Sequence, residues 1–258
     1  MDLGIRGKNA LVTGGSRGLG RQIALSLAGE GVNVAICARG KETLDRTAKE
    51  LQSQGVKAVG IVADMGDPNA MNALHREVTQ KLGPVDILVN NAGGSLNRSD
   101  ISGVPFEAYI DTFNVNLFGG FRLTQAVIPR MKQQRWGRII NVASIWGREQ
   151  GGNVSYMSAK AAVIAATKHS AVSLAEDGIT VNAIAPGSIA FPGGVWDDFQ
   201  KNNPPEVVQD FIKNNLPMGR FGWPGPVGDL AAFLASQNAD LITGACIVVD
   251  GGQSKSMI

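Results

Sequence analysis

Two residues four positions apart, Tyr156 and Lys160, have the side chains for acid–base chemistry. They open a run of small residues, Ser158–Leu174, that is typical of a helix, so both side chains would lie on one face, one turn apart. A phenol alone has a pKa near ~10 and is a poor acid or base at neutral pH. An ammonium about 5 Å away, at an effective dielectric of ~20, favours the phenolate by roughly 3 kcal/mol, or about 2 pKa units. We therefore expect Lys160 to bring the pKa of Tyr156 into the range of efficient general acid–base catalysis. The alternative is a chance pair on a solvated helix.

The length and composition predict a compact globular protein. The chain has 258 residues, 44% of them hydrophobic and 33 of them glycine, which suits one large α/β domain or two small ones. A net charge of +2 gives no electrostatic basis for binding nucleic acid. Cys37 and Cys246 lie far apart and fit no metal-ligand spacing, so we interpret both as buried thiols in a reducing compartment and expect no metal site.

The N-terminal residues 1–8 are polar and lack the apolar core of a signal peptide. The chain also has no apolar run of about 18 residues, the length that would span a bilayer. We therefore expect a soluble, cytoplasmic protein with no membrane partner.

A glycine-rich turn follows the first apolar run. Residues 9–13 are predicted to form a buried strand, the sequence Gly14-Gly15-Ser16-Arg17-Gly18-Leu19-Gly20 comes next, and a helix is predicted from about Arg21 to Gly29. Glycines allow the backbone to approach phosphates closely, and a helix N-terminus adds free N–H groups and positive potential. This context predicts a dinucleotide pyrophosphate site. The spacing departs from G-x-G-x-x-G, however, and a glycine-rich turn can also be a plain connector.

The end of the second predicted strand favours NADP(H) over NAD(H). In doubly wound folds this position faces the adenosine ribose, where a carboxylate would bind the 2′-hydroxyl. This chain has Cys37-Ala38-Arg39 there, without a carboxylate, and Arg17 of the glycine-rich turn is a second cation nearby. A guanidinium can bind phosphate with two hydrogen bonds. The alternative is that both arginines are solvated loop residues.

Apolar runs alternate with helical segments along the chain, which predicts a parallel sheet with helices on both faces. One long helical stretch, 106–131, carries Asn116 among apolar residues. We see no linker, internal repeat or low-complexity tract, so we expect one domain over 1–258. Ligands in such sheets bind beyond the carboxyl ends of the strands. The residues at or just past predicted strand ends, which should meet at one edge, are Gly14, Arg39, Asp64, Asn90, Ser144 and Pro186. Asp64 would either meet an adenine amino group or cap a turn.

Taken together, these residues resemble the short-chain dehydrogenase/reductase family over essentially the whole chain. The motifs that carry the resemblance are Thr13-Gly14, Gly18-x-Gly20, Asn90-Asn91-Ala92-Gly93, Asn116, Ser144, Tyr156-x3-Lys160, Val181-Asn182-x3-Pro186-Gly187 and Val249-Asp250-Gly251-Gly252. Each motif alone is weak, but all of them in this order and at these intervals are highly specific. More narrowly, the chain looks like the bacterial 3-oxoacyl-carrier-protein reductases and their carbonyl-reductase relatives.

The resemblance implies a Rossmann-type doubly wound sheet of seven strands and hydride transfer between a nicotinamide and a ketone or secondary alcohol. By position, Tyr156 would protonate the carbonyl oxygen and Ser144 would hydrogen-bond the same oxygen. Lys160 would lower the pKa of the phenol and bind the nicotinamide ribose, and Asn116 would hold a water that relays protons to solvent. Two donors aimed at one oxygen stabilise the alkoxide character that develops during reduction.

The same resemblance implies a set of NADP(H) contacts and shows two departures from the family pattern. The implied contact residues are Gly14, Ser16, Arg17, Gly18, Leu19, Gly20, Arg39, Asp64, Met65, Asn91, Ala92, Gly93, Tyr156, Lys160, Pro186, Gly187 and Ile189. The interval from Ser144 to Tyr156 is one residue shorter than is commonest in the family, so the loop is expected to tighten at Gly151-Gly152. Phe191 stands where the family often has a threonine that contacts the nicotinamide amide, so backbone groups near Ile189 are expected to serve alone.

Residues 187–217 are predicted to form a lid over the nicotinamide and substrate. The aromatic residues of this segment, together with Trp146 and Arg148 after Ser144, are candidates for the wall of an apolar pocket. The alternative is that the lid aromatics only anchor its helices to the body of the protein; they are Phe191, Trp196, Phe199 and Phe211. The adjacent Asp197 and Asp198 argue against docking of an acidic carrier protein.

The partner expected is a small carbonyl or alcohol substrate, and the resemblance implies a homotetramer. The small residues after Tyr156 would allow close helix contacts between subunits, together with 106–131, although they would also suit packing onto the sheet. The leading interpretation is an NADPH-dependent carbonyl reductase. The alternatives are an alcohol, sugar or hydroxysteroid dehydrogenase working in the oxidative direction, or a cofactor-binding regulator without turnover.

Overall fold

A seven-stranded parallel sheet organises the protein. The computed structural model describes residues 2–96 and 101–257. Within these residues the strands are β1 (Asn9–Thr13), β2 (Asn33–Ala38), β3 (Ala58–Val62), β4 (Ile87–Asn90), β5 (Gly137–Val142), β6 (Ile179–Pro186) and β7 (Cys246–Val249). Their order is β3-β2-β1-β4-β5-β6-β7 and every pairing is parallel. The predicted Rossmann-type α/β fold is confirmed.

Helices cover both faces of the sheet. They are α1 (Gly18–Gly29), α2 (Lys41–Gln52), α3 (Ala70–Lys81), α4 (Phe106–Phe113), α5 (Gly119–Gln134), α6 (Val154–Leu174), α7 (Val195–Asn202), α8 (Pro205–Asn215) and α9 (Gly225–Ala235). The apolar residues of α1, α2 and α9 pack on one face and those of α3, α5 and α6 on the other. Successive strand residues point to opposite faces, and thus Val12 joins the first core and Leu11 the second.

The stretch 106–131 is not one continuous α-helix. A π-helical segment, Asn114–Phe118, separates α4 from α5. A π turn inserts an extra residue into the helix and often occurs at functional sites. The following turn is fixed by Gly119, because a Cβ there would lie 2.4 Å from the Met65 carbonyl oxygen in the loop after β3. Hydrophobic spacing alone does not reveal such an insertion.

The predicted lid segment contains α7 and α8, and most of its aromatic rings pack on one another. Trp196 lies 4.9 Å from Phe211 between ring centroids, and Phe211 stacks on Phe221 at 5.7 Å. Phe199 completes this lid cluster, which we define as Trp196, Phe199, Phe211 and Phe221. The structure therefore favours the anchoring role for Trp196, Phe199 and Phe211 over the role of pocket wall.

The order of the strands creates a crevice at one edge of the sheet. From β1 the chain winds outward through β2 and β3, then returns to β4 on the other side of β1 and continues to β7. The loops after β1 and β4 therefore run in opposite directions, and ligands of open parallel sheets bind at such a switch point.

Candidate active site

The glycine-rich turn between β1 and α1 brings backbone atoms together more closely than any side chain would allow. A Cβ on Gly20 would lie 2.3 Å from the Gly14 carbonyl oxygen and 2.4 Å from Asn91 Nδ2. Gly14 and Gly18 both have positive φ, +66° and +57°. Helix α1 begins at Gly18, directly after Arg17, so its free N–H groups face the crevice end of the sheet. This turn fits a diphosphate bound at a helix N-terminus.

Two contacts hold the turn in place. The Thr47 hydroxyl of α2 donates a hydrogen bond to the Ser16 carbonyl oxygen at 3.0 Å, and the partly buried side chain of Leu19 packs against the first core. Ser16 and Leu19, both predicted cofactor contacts, therefore lie in the turn with their backbone positions fixed from behind.

The loop after β4 is fastened to the end of β1. The Thr13 hydroxyl accepts hydrogen bonds from the backbone N–H groups of Asn91 and Ala92, each at 2.9 Å. The Asn91 side chain donates to the Thr13 carbonyl oxygen at 2.8 Å. Gly93 follows, where a Cβ would lie 2.5 Å from Asn116 Oδ1. The predicted residues Asn91, Ala92 and Gly93 thus form one side of the crevice, opposite the glycine-rich turn.

Asn116 braces this loop from the π-helical segment. Its side-chain Nδ2 donates to the carbonyl oxygens of Gly94 and Thr112, both at 2.9 Å, and its Oδ1 accepts from the Gly94 N–H at 3.0 Å. Protein groups thus use both amide hydrogens. The role of holding a water stays a prediction, and the structure adds a bracing role that hydrophobic spacing did not suggest.

Tyr156, Ser144 and Lys160 meet where β5 ends and α6 begins. Tyr156 is the third residue of α6, and the Lys160 amine lies 5.6 Å from the centroid of its ring. The Ser144 hydroxyl hydrogen-bonds to the Tyr156 phenol and accepts from the Trp146 N–H at 3.2 Å. The buried Lys160 amine donates to the Val142 carbonyl oxygen at 2.8 Å. The structure therefore brings together the three residues that the sequence predicted to share one site.

The pKa of the phenol differs in direction from the expectation. Burial raises the pKa of Tyr156, and the hydrogen bond with Ser144 offsets this only in part. Burial also lowers the pKa of Lys160 to about 8. The prediction that Lys160 brings the pKa of Tyr156 down into the range of efficient acid–base catalysis is therefore wrong for this structure. Desolvation disfavours the charged form of each group, and the amine directs its hydrogen bond to Val142 rather than to the phenol.

Asn153 positions the start of α6, a role that the sequence analysis did not predict. Its Oδ1 accepts from the Tyr156 N–H at 2.9 Å and from the Ser155 hydroxyl at 3.0 Å. Its Nδ2 donates to the Ser95 hydroxyl in the loop after β4. An asparagine immediately before the first turn of a helix is an N-cap signal, so the pattern was available in the sequence. Asn153 ties Tyr156 to the loop that Asn116 braces.

The shortened interval between Ser144 and Tyr156 is accommodated by glycines packed on Trp146. Gly152 has a φ of +66°, and a Cβ on Gly151 would lie 2.2 Å from the Trp146 ring. The loop therefore folds back tightly at Gly151-Gly152, as predicted. The Trp146 ring meets that of Tyr156 edge to face, with centroids 6.4 Å apart, so Trp146 supports the phenol from the side.

The residues predicted to contact the adenosine part of the cofactor lie at the crevice edge, and they differ in exposure and in hydrogen-bond partners. Arg39 is exposed directly after β2. Arg17 is exposed too, and its guanidinium donates to the Gly193 carbonyl oxygen of the lid at 3.0 Å. Asp64 accepts from the Gly66 N–H at 2.9 Å, which is the turn-capping alternative. Met65 is buried in the second core, so only its backbone is placed to meet a ligand.

The segment after β6 presents backbone groups to the crevice. β6 ends at Pro186, and a Cβ on Gly187 would lie 2.6 Å from Asp250 Cβ. Gly222 donates to the Ser188 carbonyl oxygen at 3.0 Å and accepts from the Ala190 N–H at 2.9 Å. Backbone groups alternate sides in an extended chain. The N–H and C=O of Ile189 therefore point away from Gly222, in agreement with the proposed use of its backbone.

Two kinds of feature are absent from the part of the chain that the structure describes. In residues 2–96 and 101–257, His, Cys, Asp and Glu side chains do not gather in groups of three or more that could hold a metal ion. In the same residues, no helix has the length and apolarity that crossing a bilayer requires. The acid–base pair, the glycine-rich turn and the loop after β4 together form the candidate site.

Comparison with known proteins shows likeness over nearly the whole chain. The family model described as short chain dehydrogenase matches residues 8–200. The 3-oxoacyl-[acyl-carrier-protein] reductase FabG of Staphylococcus aureus is 40% identical over 248 residues, which cover 95% of this chain and 97% of that protein. The (2S)-[(R)-hydroxy(phenyl)methyl]succinyl-CoA dehydrogenase subunit BbsD of Thauera aromatica is 38% identical over 253 residues, 98% of each chain. L-sorbose reductase from Gluconobacter frateurii, solved with NADPH and L-sorbose, superposes with a TM-score of 0.93 at 31% identity over 100% of both chains.

Proposed function

Because this chain belongs to the short-chain dehydrogenase/reductase family, we propose that it interconverts a ketone and a secondary alcohol by hydride transfer, with NADP(H) as cofactor. The observation that carries the proposal is the meeting of Tyr156, Ser144 and Lys160 beside Gly93, at the crevice edge of the sheet. A Cβ on Gly93 would lie 3.1 Å from the Lys160 amine. The acid–base pair therefore adjoins the loop that would carry the nicotinamide.

Each catalytic side chain has a task that its surroundings support. The substrate oxygen would lie between Tyr156 and Ser144, which are already linked by a hydrogen bond. When bound, the reduced nicotinamide supplies the hydride. Tyr156 donates its proton to the oxygen, Ser144 donates a second hydrogen bond to it, and the Lys160 ammonium stabilises the phenolate that remains. With a pKa of about 8, Lys160 is mostly protonated at neutral pH.

The cofactor choice rests on the fit of the turn and on two arginines. The glycines at 14, 18 and 20 allow the tight turn whose backbone N–H groups would bind a diphosphate, and the exposed guanidinium groups of Arg17 and Arg39 are available to a 2′-phosphate. The L-sorbose reductase that this chain resembles was solved with NADPH. These observations support NADP(H) over NAD(H).

The neutral phenol supplies the proton that ketone reduction requires. The raised pKa of Tyr156 keeps the phenol protonated at neutral pH, which is the form that ketone reduction consumes. Oxidation of an alcohol would need the phenolate as a base. The oxidative alternative remains the second candidate, since one relative is a dehydrogenase subunit that acts on a hydroxyacyl-CoA by its name.

The experiment follows NADPH oxidation by absorbance against a panel of ketones. The panel contains acetoacetyl thioesters, L-sorbose, diketones, quinones and steroid ketones. We expect turnover with at least one member, and we expect Tyr156→Phe to abolish it while NADPH still binds. Substantial activity in Tyr156→Phe would refute the proton-donor role. NADPH binding without turnover of any ketone or alcohol would favour the regulator.

We further propose one domain over 1–258, a cytoplasmic location and a homotetramer. The described cysteines, Cys37 and Cys246, are free thiols, which suits a reducing compartment. Apolar side chains are exposed on neighbouring helices, with 48% of Phe121 and 71% of Val172 accessible. Exposed apolar side chains on these two helices fit contact between copies of the chain, and light scattering in solution tests the tetramer.

A further inference from the structure

We propose that Phe191 is a cofactor-site residue whose ring controls how fast the cofactor enters and leaves. This inference rests on the proposed function, because it needs a dinucleotide on the glycine-rich turn. A Cβ on Gly18 would lie 2.6 Å from two atoms of the Phe191 ring. The ring therefore lies in van der Waals contact with the residue at which α1 begins, where the diphosphate is expected.

Phe191 differs from the other lid aromatics in what it touches. Trp196, Phe199 and Phe211 belong to the lid cluster, whereas the Phe191 ring is folded between Gly18 and Gly194, with ring atoms 2.8 Å from an ideal Cβ on Gly194. Its contacts thus join the lid to the cofactor turn and do not hold the lid helices together.

A tight turn holds the ring over Gly18. The Gly194 N–H donates to the Phe191 carbonyl oxygen at 2.9 Å, and Gly193 between them has a φ of +72°. The Asp197 carboxylate accepts from the Gly193 N–H at 2.8 Å. From the other side, Arg17 of the glycine-rich turn donates to the Gly193 carbonyl oxygen at 3.0 Å. The turn 191–194 is therefore fixed both to its own helix and to the cofactor turn.

The consequence is kinetic rather than thermodynamic. A phenyl ring offers a phosphate no hydrogen bond, so it adds little to the affinity for the charged diphosphate. It does obstruct the path between the N-terminus of α1 and solvent, and the cofactor must pass it in both directions. Removing the ring should accelerate association and dissociation together. The ratio of the two rates, and hence Kd, should change much less.

The test uses the full-length protein and the fluorescence of NADPH in a stopped-flow instrument. Association is measured by mixing with NADPH, and dissociation by displacement with excess NADP⁺. We expect Phe191→Ala to raise both rate constants by about tenfold or more, with Kd within about threefold of the wild-type value. Phe191→Leu keeps a smaller apolar side chain, so its rate constants should lie between those of the wild-type protein and those of Phe191→Ala. The leucine variant replaces the alanine variant in the test if the latter folds poorly.

The matched control is Val195→Ala, which trims an exposed lid side chain next to the same turn (68% accessible) and should leave both rates unchanged. Rates in both Phe191 variants within about twofold of wild type would overturn the inference while leaving the proposed function intact. A Kd that weakens in proportion to a faster dissociation, with unchanged association, would also overturn it, because Phe191 would then be an affinity contact. A wild-type protein that binds no NADPH would instead remove the proposed cofactor.

Discussion

Replacing Lys160 by methionine should abolish turnover and at the same time stabilise the fold. Lys160 is 3% exposed, and burial lowers its pKa from 10.5 to about 8. At about pH 7 the side chain is still charged in both the folded and the unfolded chain, so folding carries the cost of desolvating an ammonium. That cost is about 3 kcal/mol for a pKa change of this size. Methionine has a similar volume and no charge to desolvate.

The net gain is smaller, because the Val142 carbonyl oxygen loses the donor that Lys160 supplies at 2.8 Å. An unmade hydrogen bond of this kind costs ~1 kcal/mol, which leaves a stabilisation of about 2 kcal/mol at about pH 7. For a chain of 258 residues that corresponds to a rise in Tm of roughly 4 °C.

The stabilisation that Lys160→Met provides should decrease as the pH rises, because the folded and unfolded chains bind different numbers of protons at Lys160. The folded-state pKa lies below the unfolded one, so between about pH 8 and 10.5 the unfolded chain binds more protons at this site. The stability of the wild-type protein therefore rises with pH through this window. At about pH 9.5 only about 1 kcal/mol of the penalty remains, so the advantage of the methionine variant should almost disappear.

Thermal and urea unfolding of both proteins without cofactor, at about pH 7 and about pH 9.5, measure this difference. Lys168→Met removes an exposed lysine from the same helix α6 and should leave Tm nearly unchanged at both values. A lower Tm for Lys160→Met at about pH 7 would refute the reasoning, since the ammonium would then be stabilising. A stability difference independent of pH would refute it as well.

Three further substitutions test how the site is positioned. Gly93→Ala should lower kcat at least tenfold with little loss of fold, because its Cβ would lie 2.5 Å from Asn116 Oδ1; steady-state kinetics and circular dichroism check this. Asn153→Ala should cost about 1–2 kcal/mol of stability through loss of the N-cap and lower kcat more than it raises KM, whereas Asn153→Asp keeps the acceptor for the Tyr156 N–H and should recover most of the stability in urea unfolding. Arg39→Asp should weaken NADPH binding much more than NADH binding in fluorescence titrations, and equal losses would remove the 2′-phosphate assignment.

The parts of the site that could be predicted from sequence are those fixed by strand ends. In a parallel sheet every carboxyl end lies on the same edge, so Gly14, Arg39, Asn90 and Ser144 were expected together once their strands were recognised. The pairing of Tyr156 with Lys160 followed from their spacing of four residues on a predicted helix, which is now α6. These inferences need only the periodicity of the apolar residues and the direction of the chain, and both can be taken directly from the sequence.

The parts that could not be predicted are the hydrogen-bond partners of the polar side chains. Asn116 bonds across to Gly94 from a π turn, and Lys160 donates to Val142; neither contact has a signature in residue spacing. The direction of the Tyr156 pKa depends on burial, which is a property of the packed site and not of the distance to one cation. The Arg17 contact with the lid likewise needs the path of a long connection, which no periodicity encodes.

Burial acts in opposite directions on the two titrating groups of the site, and this determines when the charge of Lys160 matters. Desolvation raises the pKa of Tyr156 and lowers that of Lys160, so it disfavours an isolated phenolate and an isolated ammonium alike. In the proposed mechanism Tyr156 gives its proton to the substrate oxygen, so the phenolate would form one helical turn from the ammonium, where the low-dielectric surroundings strengthen their attraction. The attraction is small while the phenol is neutral and grows as the proton leaves. In this mechanism Lys160 would stabilise the transition state more than the ground state, which is the condition for raising kcat rather than only tightening binding.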